Sequence, residues 1–223
     1  MESRQNMTFD GGHGYLATPP SGSGPGLIVI QEWWGLTDHI ADVTDRFARA
    51  GFVALAPDLF GGRVAHDPAE AAKMAGELPA AKGVELLSGA VDHLLARDDV
   101  TGDRVGAVGF CMGGGFVLLL AAREGERIGA AVPFYGVVPG PLPDFRGLKA
   151  KVLGHFGDRD ASVPAEARAE LAAAIERGAG ITPEFHVYPA DHAFFNDQRP
   201  VYDAHSAALA WERTLEFLRA ELG

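Results

Sequence analysis

The chain has 223 residues, 47% of them hydrophobic, and a formal net charge of −11 at pH 7. That length and apolar content suit one α/β domain, residues 1–223, with a full core. The acid excess is spread along the chain, which argues against nucleic acid or an anionic membrane as partner. A single cysteine excludes an internal disulfide and fits a reducing cytoplasm. No apolar run approaches 18 residues and the start lacks an apolar signal core, so neither an export signal nor a transmembrane helix is expected.

Apolar runs alternate with helical patterns from end to end, the pattern of a mostly parallel sheet wrapped by helices on both faces. Residues 7–9 and 15–18 predict a short antiparallel opening. Residues 19–26 (Pro-Pro-Ser-Gly-Ser-Gly-Pro-Gly) form a turn-rich loop before a strand at 27–31. A helix is expected over 38–50, stopped by Gly51, then a strand over 52–56 that ends before Pro57-Asp58. The Ala-rich region 67–97 predicts helix in two pieces. A strand at 105–109 and a helix at 112–123 follow, then a strand at 130–135 and a Pro/Gly-rich excursion through Gly147. A strand at 152–157, a helix at 165–177, a strand at 184–188 and a helix at 200–218 complete the pattern. No repeat or composition break divides the chain.

Between the strand at 105–109 and the helix at 112–123 lies Gly109-Phe110-Cys111-Met112-Gly113, a G-x-nucleophile-x-G elbow with cysteine at its centre. A nucleophile on a sharp strand-to-helix turn has strained dihedrals, and its neighbours two residues away must be small where strand and helix crowd together. The turn lifts Sγ clear of the sheet and sets it at a helix N-terminus, where partial positive charge favours thiolate. It also leaves the Met112 amide free to donate to an oxyanion. A dinucleotide loop needs a glycine where Cys111 stands, and no G-x-x-x-x-G-K-[ST] occurs, so nucleotide binding is disfavoured.

In open α/β sheets chemistry gathers beyond the C-terminal ends of strands. The strand at 152–157 leads into Asp158-Arg159-Asp160-Ala161-Ser162-Val163-Pro164, and the strand at 184–188 leads into Pro189-Ala190-Asp191-His192. With Cys111 these give the order nucleophile, acid, histidine. The pattern G-x-x-D-x-x-V-P over 157–164 selects Asp160 over Asp158, with the proline opening the next helix. His155 and His186 fall inside strands and read as packed or surface residues; the other histidines lack a strand-end context. The strand at 27–31 delivers Glu32-Trp33-Trp34-Gly35 beside the elbow, so Glu32 is expected to line the pocket. The Trp33 amide is the expected second oxyanion donor.

The motifs Gln31-Glu32-Trp33-Trp34-Gly35, Pro57-Asp58-Leu59-Phe60, Gly109-Phe110-Cys111-Met112-Gly113-Gly114, Phe134-Tyr135-Gly136 and His192-Ala193-Phe194 stand in register. Over roughly residues 7–218 the chain resembles the dienelactone hydrolase (carboxymethylenebutenolidase) family. The resemblance implies an α/β-hydrolase fold without a large cap, no metal or organic cofactor, and hydrolysis of lactones and esters through a cysteine acyl-enzyme. It makes Cys111 the nucleophile, Asp160 and His192 its triad partners, and Glu32 a residue in contact with the thiol that helps activate it when substrate binds. Trp34, Tyr135 and Asn196 are the candidate substrate-binding residues. The chain departs from the family where a substrate carboxylate is held. The type enzyme has an arginine four residues after the catalytic histidine, and here that position is Asn196. Residues 67–78 offer only Lys73 where a second arginine is expected, and nothing in the sequence places Arg63 or Arg199 as a substitute.

The first expectation is therefore a cytoplasmic lactone or carboxylic-ester hydrolase acting on a small molecule, as a monomer or small homo-oligomer. A promiscuous esterase or thioesterase for neutral substrates is favoured by the missing arginines and paired tryptophans. A non-catalytic binding or redox-sensing member is the alternative from another class, and the complete triad argues against it.

Overall fold

The computed structural model describes residues 3–138 and 140–223. Its strands are β1 (Met7–Phe9), β2 (Gly12–Ala17), β3 (Gly24–Ile30), β4 (Val53–Pro57), β5 (Val100–Phe110), β6 (Ile128–Phe134), β7 (Lys151–Gly157) and β8 (Glu184–Tyr188). Its helices are α1 (Asp38–Arg49), α2 (Pro68–Gly76), α3 (Ala80–Leu95), α4 (Met112–Glu124), α5 (Ala165–Ala179) and α6 (Ala204–Leu222). All eight strands join one sheet in the order β1-β2-β4-β3-β5-β6-β7-β8. The β1–β2 hairpin turns at Asp10-Gly11, with Gly11 at φ 87°, and β2 runs antiparallel to β4. Every other pair is parallel.

A parallel sheet covered on both faces needs side chains that are apolar in both directions, which is why β3, β4 and β6 read as unbroken apolar runs. Ile28, Ile30, Val53 and Leu55 face a core completed by α2, α3, α4 and α5. Leu27, Val29, Ala54 and Ala56 face the opposite core, built by α1 and α6. Successive residues thus feed two cores, as the two-residue strand period demands. Because β4 lies on one side of β3 and β5 on the other, the strand order reverses at the β3/β5 junction. A crevice opens there at the C-terminal strand ends. Among the described residues no cap domain covers it.

Several element bounds differ from expectation for identifiable reasons. β5 begins at Val100 instead of 105, because Val100 and Thr101 pair with Gly24 and Pro25 across a bulge. Its exposed stretch Thr101–Arg104 hides that extension from an apolar pattern. The same pairing draws residues 24–26 out of the expected loop and into β3. β6 spans Ile128–Phe134 and stops before Tyr135, which takes φ 39°. α6 starts at Ala204 and not at 200: Asp203 caps it, accepting the Ser206 amide at 2.8 Å. Residues 196–202 instead form tight turns, with the amides of Arg199 and Tyr202 donating to the carbonyls of Asn196 and Arg199.

Candidate active site

Cys111 occupies the single-residue break between β5 and α4 with φ 55° and ψ −118°, outside the regions an L-residue favours. The flanking glycines are needed there. A Cβ on Gly109 would stand 2.3 Å from the Gly113 carbonyl oxygen, and one on Gly113 would stand 2.4 Å from those of Gln31 and Ile30. The elbow is tied down on its other flank. Cys111 donates its amide to the Phe134 carbonyl at 3.0 Å, and its own carbonyl accepts from Gly114 and Val137, each at 3.0 Å. The thiol-bearing residue remains partly exposed. Met112 is the first residue of α4, so its amide has no acceptor within the helix.

The loops after β7 and β8 meet beside the elbow. His192 Nδ1 lies 2.7 Å from Asp160 Oδ2, and Asp160 Oδ1 accepts the amides of Ser162 at 2.8 Å and Val163 at 3.3 Å. Both carboxylate oxygens are thus committed in a buried site. Asp158 is exposed, 3.8 Å from Arg159, and makes no contact with His192. Burial lowers the pKa of His192, but the hydrogen bonds to Asp160 and Cys111 and the charges of both groups outweigh it, and the imidazole is pushed up to about 10. That direction favours the imidazolium that forms, between a carboxylate and the sulfur, once the thiol has given its proton to the ring.

Glu32 is buried at the end of β3, beside the strand-order reversal. Its Oε2 accepts from Asn196 Nδ2 at 2.7 Å and its Oε1 from the Tyr135 hydroxyl at 3.4 Å. Among the described residues the thiol is not a hydrogen-bond partner of Glu32. Burial, then the charge of Glu32, raises Tyr135 well above the usual phenol range, so it remains a donor. Tyr135 and Asn196 were expected to bind substrate, and the structure places them differently. Both are buried, and the Asn196 side-chain oxygen is occupied by the Gln198 amide at 3.0 Å. They hold Glu32 and do not line the cavity. Trp34 also stands off the cavity, stacked under the Arg199 guanidinium at 3.9 Å; Trp33, edge-on to it at 5.2 Å, takes the lining position.

A cavity of about 380 Å³ opens over Cys111 and His192, walled by Trp33, Leu78, Met112, Phe116 and Val137. No lysine or arginine lines it among the described residues. Arg63 is 3.0 Å from Glu77, Lys73 is an exposed partner of the same glutamate, and Arg199 is spent on Trp34. No group of three or more His, Cys, Asp or Glu side chains suited to a metal occurs among the described residues. No helix there is long and apolar enough to cross a membrane.

Residues 13–222 match the sequence profile of the Dienelactone hydrolase family. The chain belongs to the dienelactone hydrolase family. The Aquifex pyrophilus protein named usf is 35% identical over 217 residues, covering 94% of this chain and 93% of that one. A dienelactone hydrolase-like promiscuous phosphotriesterase from metagenomic libraries superposes with a TM-score of 0.79 at 28% identity, covering 90% of this chain and 88% of that one. The dienelactone hydrolase of Anabaena variabilis shares the fold at 20% identity, with a TM-score of 0.70 over 95% of this chain and 92% of that one. The fold is the α/β-hydrolase fold, and the chain is a dienelactone-hydrolase-type hydrolase.

One cluster at the edge of the site carries no motif of the family as read from the sequence. His39 on α1 is buried, with Nδ1 3.3 Å from Asp197 Oδ1, and Arg46 on the same helix pairs with the other Asp197 oxygen. Burial lowers the His39 pKa, so it is neutral. Asp197 follows Asn196 directly, so α1 clamps the loop that presents both His192 and the partner of Glu32. The only local signal was an i, i+7 pair of basic side chains on α1, and that gives no indication of a partner so distant in sequence.

Proposed function

We propose that this member of the family hydrolyses small neutral carboxylic esters or lactones through Cys111, His192 and Asp160. His192 takes the thiol proton, and the thiolate attacks the acyl carbon to give a tetrahedral oxyanion. The amides of Met112 and Trp33, at the start of α4 and just after β3, are the donors for that oxyanion. Collapse breaks the carbon–oxygen bond as His192 passes its proton to the departing alcohol, leaving an acyl-thioester on Cys111. Water then attacks, giving its proton to His192 and releasing the acid with the thiol restored. Asp160 fixes the imidazole so that Nε2 serves the thiol and stabilises the imidazolium that forms. Glu32 adds a negative charge to the same buried cluster and tempers thiolate formation in the free enzyme.

The observation that carries this reading is the 2.7 Å Asp160–His192 pair beside a strained elbow cysteine on the floor of the cavity. The apolar lining without a cation favours uncharged substrates, and a single thiol nucleophile suits a reducing compartment such as the cytoplasm. The test is p-nitrophenyl acetate hydrolysis by the wild type and by enzyme treated with iodoacetamide. Turnover abolished by alkylation supports the reading, whereas turnover that survives complete alkylation of Cys111 overturns it.

A further inference from the structure

The cavity over Cys111 has a neighbour on the far side of Val137. Val137 and Ser162 also line a second hollow of about 180 Å³, which lies between Gly136, Val138, Gly140 and Leu142 on one side and the first turns of α5 on the other. Its inner wall is fixed by the elbow itself. The Val137 amide is bound to the Cys111 carbonyl, and a Cβ on Gly115 would stand 2.1 Å from the Val137 carbonyl oxygen. The glycines that open α4 thus let the segment after β6 lie against the helix start. Its outer wall is Ala167 and Leu171 of α5, and Leu142 and the exposed Glu170 also line it.

We propose that this hollow is the leaving-group subsite, taking the alcohol portion of an ester while the acyl portion sits among Trp33, Leu78, Met112 and Phe116. The assignment deepens the hydrolase reading above and rests on it for direction. The departing oxygen must receive its proton from His192, so the alcohol lies on the His192–Asp160 side of the scissile bond. The hollow is on that side: its Ser162 and Val163 belong to the turn whose amides hold Asp160 Oδ1. Trp33 and Met112, whose amides are the oxyanion donors of that reading, line the cavity over Cys111 and not this hollow. Size and charge narrow the occupant. A dry cavity of about 150 Å³ accommodates benzene, so this volume takes one aromatic ring or a chain of about six carbons. Its single charged lining residue among those described is Glu170, which disfavours an anionic alcohol.

The test compares the wild type with Ala167→Trp, which fills the hollow from α5, and with the milder Ala167→Leu in case the larger side chain unfolds the helix. Three substrates separate the two ends of the ester: methyl acetate, benzyl acetate and methyl hexanoate. The expected result is that the benzyl-to-methyl ratio of kcat/KM falls at least tenfold in Ala167→Trp and by a smaller factor in Ala167→Leu. The hexanoate-to-acetate ratio is expected to change less than twofold. Binding of benzyl alcohol, followed by saturation-transfer NMR on wild type and variant, reports on the hollow without turnover. Loss of that binding in the variant together with the selectivity change supports the subsite. An unchanged benzyl-to-methyl ratio, or a loss falling on the hexanoate series, overturns it. If the wild type hydrolyses none of the esters yet binds benzyl alcohol in an Ala167-dependent way, the hydrolase reading fails and the pocket for a neutral alcohol stands. Absence of both hydrolysis and binding overturns both.

Discussion

Replacing Asp160 by asparagine is the sharpest probe of the site, because the structure decides which way the amide must face. Asp160 Oδ1 accepts two backbone amides, from Ser162 at 2.8 Å and Val163 at 3.3 Å. An NH2 group in that place would oppose two donors, so the asparagine oxygen must occupy it. The NH2 group is then turned toward His192 Nδ1, which stands 2.7 Å away and now has to accept. That fixes the proton on Nε2 and removes the lone pair needed for the thiol proton. The same inversion in a serine-protease triad costs about 10⁴-fold in kcat, and a loss of about 10³- to 10⁴-fold is expected here. Asp158→Asn, at an exposed acid paired only with Arg159, is expected to stay within about threefold of wild type, in line with the small worth of surface pairs. The assay is kcat/KM on p-nitrophenyl acetate, with NMR titration of His192 alongside. In Asp160→Asn the imidazole is expected to fall from about 10 toward its ordinary 6.5, since a principal support of its positive charge is gone. Activity within tenfold of wild type, or equal losses at the two aspartates, would refute the reasoning.

Cys111→Ala is expected to fold normally and lose several orders of magnitude in ester turnover; retention of more than about a tenth contradicts the nucleophile role. Glu32→Gln can keep its contacts, with the new oxygen toward Asn196 Nδ2 and the new NH2 toward the Tyr135 hydroxyl, so charge is removed without disturbing the cluster. It is expected to speed iodoacetamide alkylation of free enzyme and slow ester turnover, and an alkylation rate identical to wild type across pH 6 to 9, a range that straddles an ordinary thiol, sinks the coupling. A lactone pair differing only in one carboxylate is expected to favour the neutral member by about ten- to a hundredfold in kcat/KM, the worth of one lost charge-assisted contact; a salt-sensitive preference for the anion refutes it. Stability to urea is expected to fall below about pH 6.5, because burial holds His39 and His155 neutral in the fold while the unfolded chain protonates them. Each contributes up to about 1.4 kcal/mol per pH unit, whereas His192, charged in both states there, contributes no slope. His155→Gln is expected to flatten the profile between pH 4.5 and 6.5, and an unaltered slope counts against the assignment.

What could be read from the sequence was what is local in it. The elbow was legible because its requirement is a spacing: glycines two residues to either side of Cys111, each closed by a backbone oxygen at 2.3–2.4 Å. β8 was legible to the residue because it is bounded by turn formers and needs no partner to explain its pattern. The N-terminal end of β5 was not, since Thr101–Arg104 are exposed and extend only because Gly24 and Pro25 pair with Val100 and Thr101. The start of α6 was misplaced because Pro200 resembles a first helical residue, while the actual cap, Asp203, lies three residues further on. The fate of Asn196 was the least legible. Its position relative to His192 marked it for substrate, yet its donor meets Glu32 across 164 residues of chain, through a loop that leaves β8 and runs back past the ends of the three strands between β8 and β3.

Backbone strain gives the site its shape. Among the described residues three that are not glycine have positive φ: Cys111 at 55°, Tyr135 at 39° and Ala193 at 62°. Each costs of the order of 1–3 kcal/mol, so chance clustering at one end of one sheet would be penalised, and each instead carries a specific consequence. The turn at Cys111 frees the thiol from the strand. The turn at Tyr135 ends β6 one residue early, its amide donating to the His155 carbonyl at 2.7 Å while its hydroxyl meets Glu32. The turn at Ala193 accepts the Asn196 amide at 3.0 Å, which folds the chain back so that His192 faces Asp160 while Asn196 reaches Glu32. Strain at these three positions therefore sets Cys111, Glu32 and His192 relative to one another, and the two buried cores supply the stability against which that strain is held.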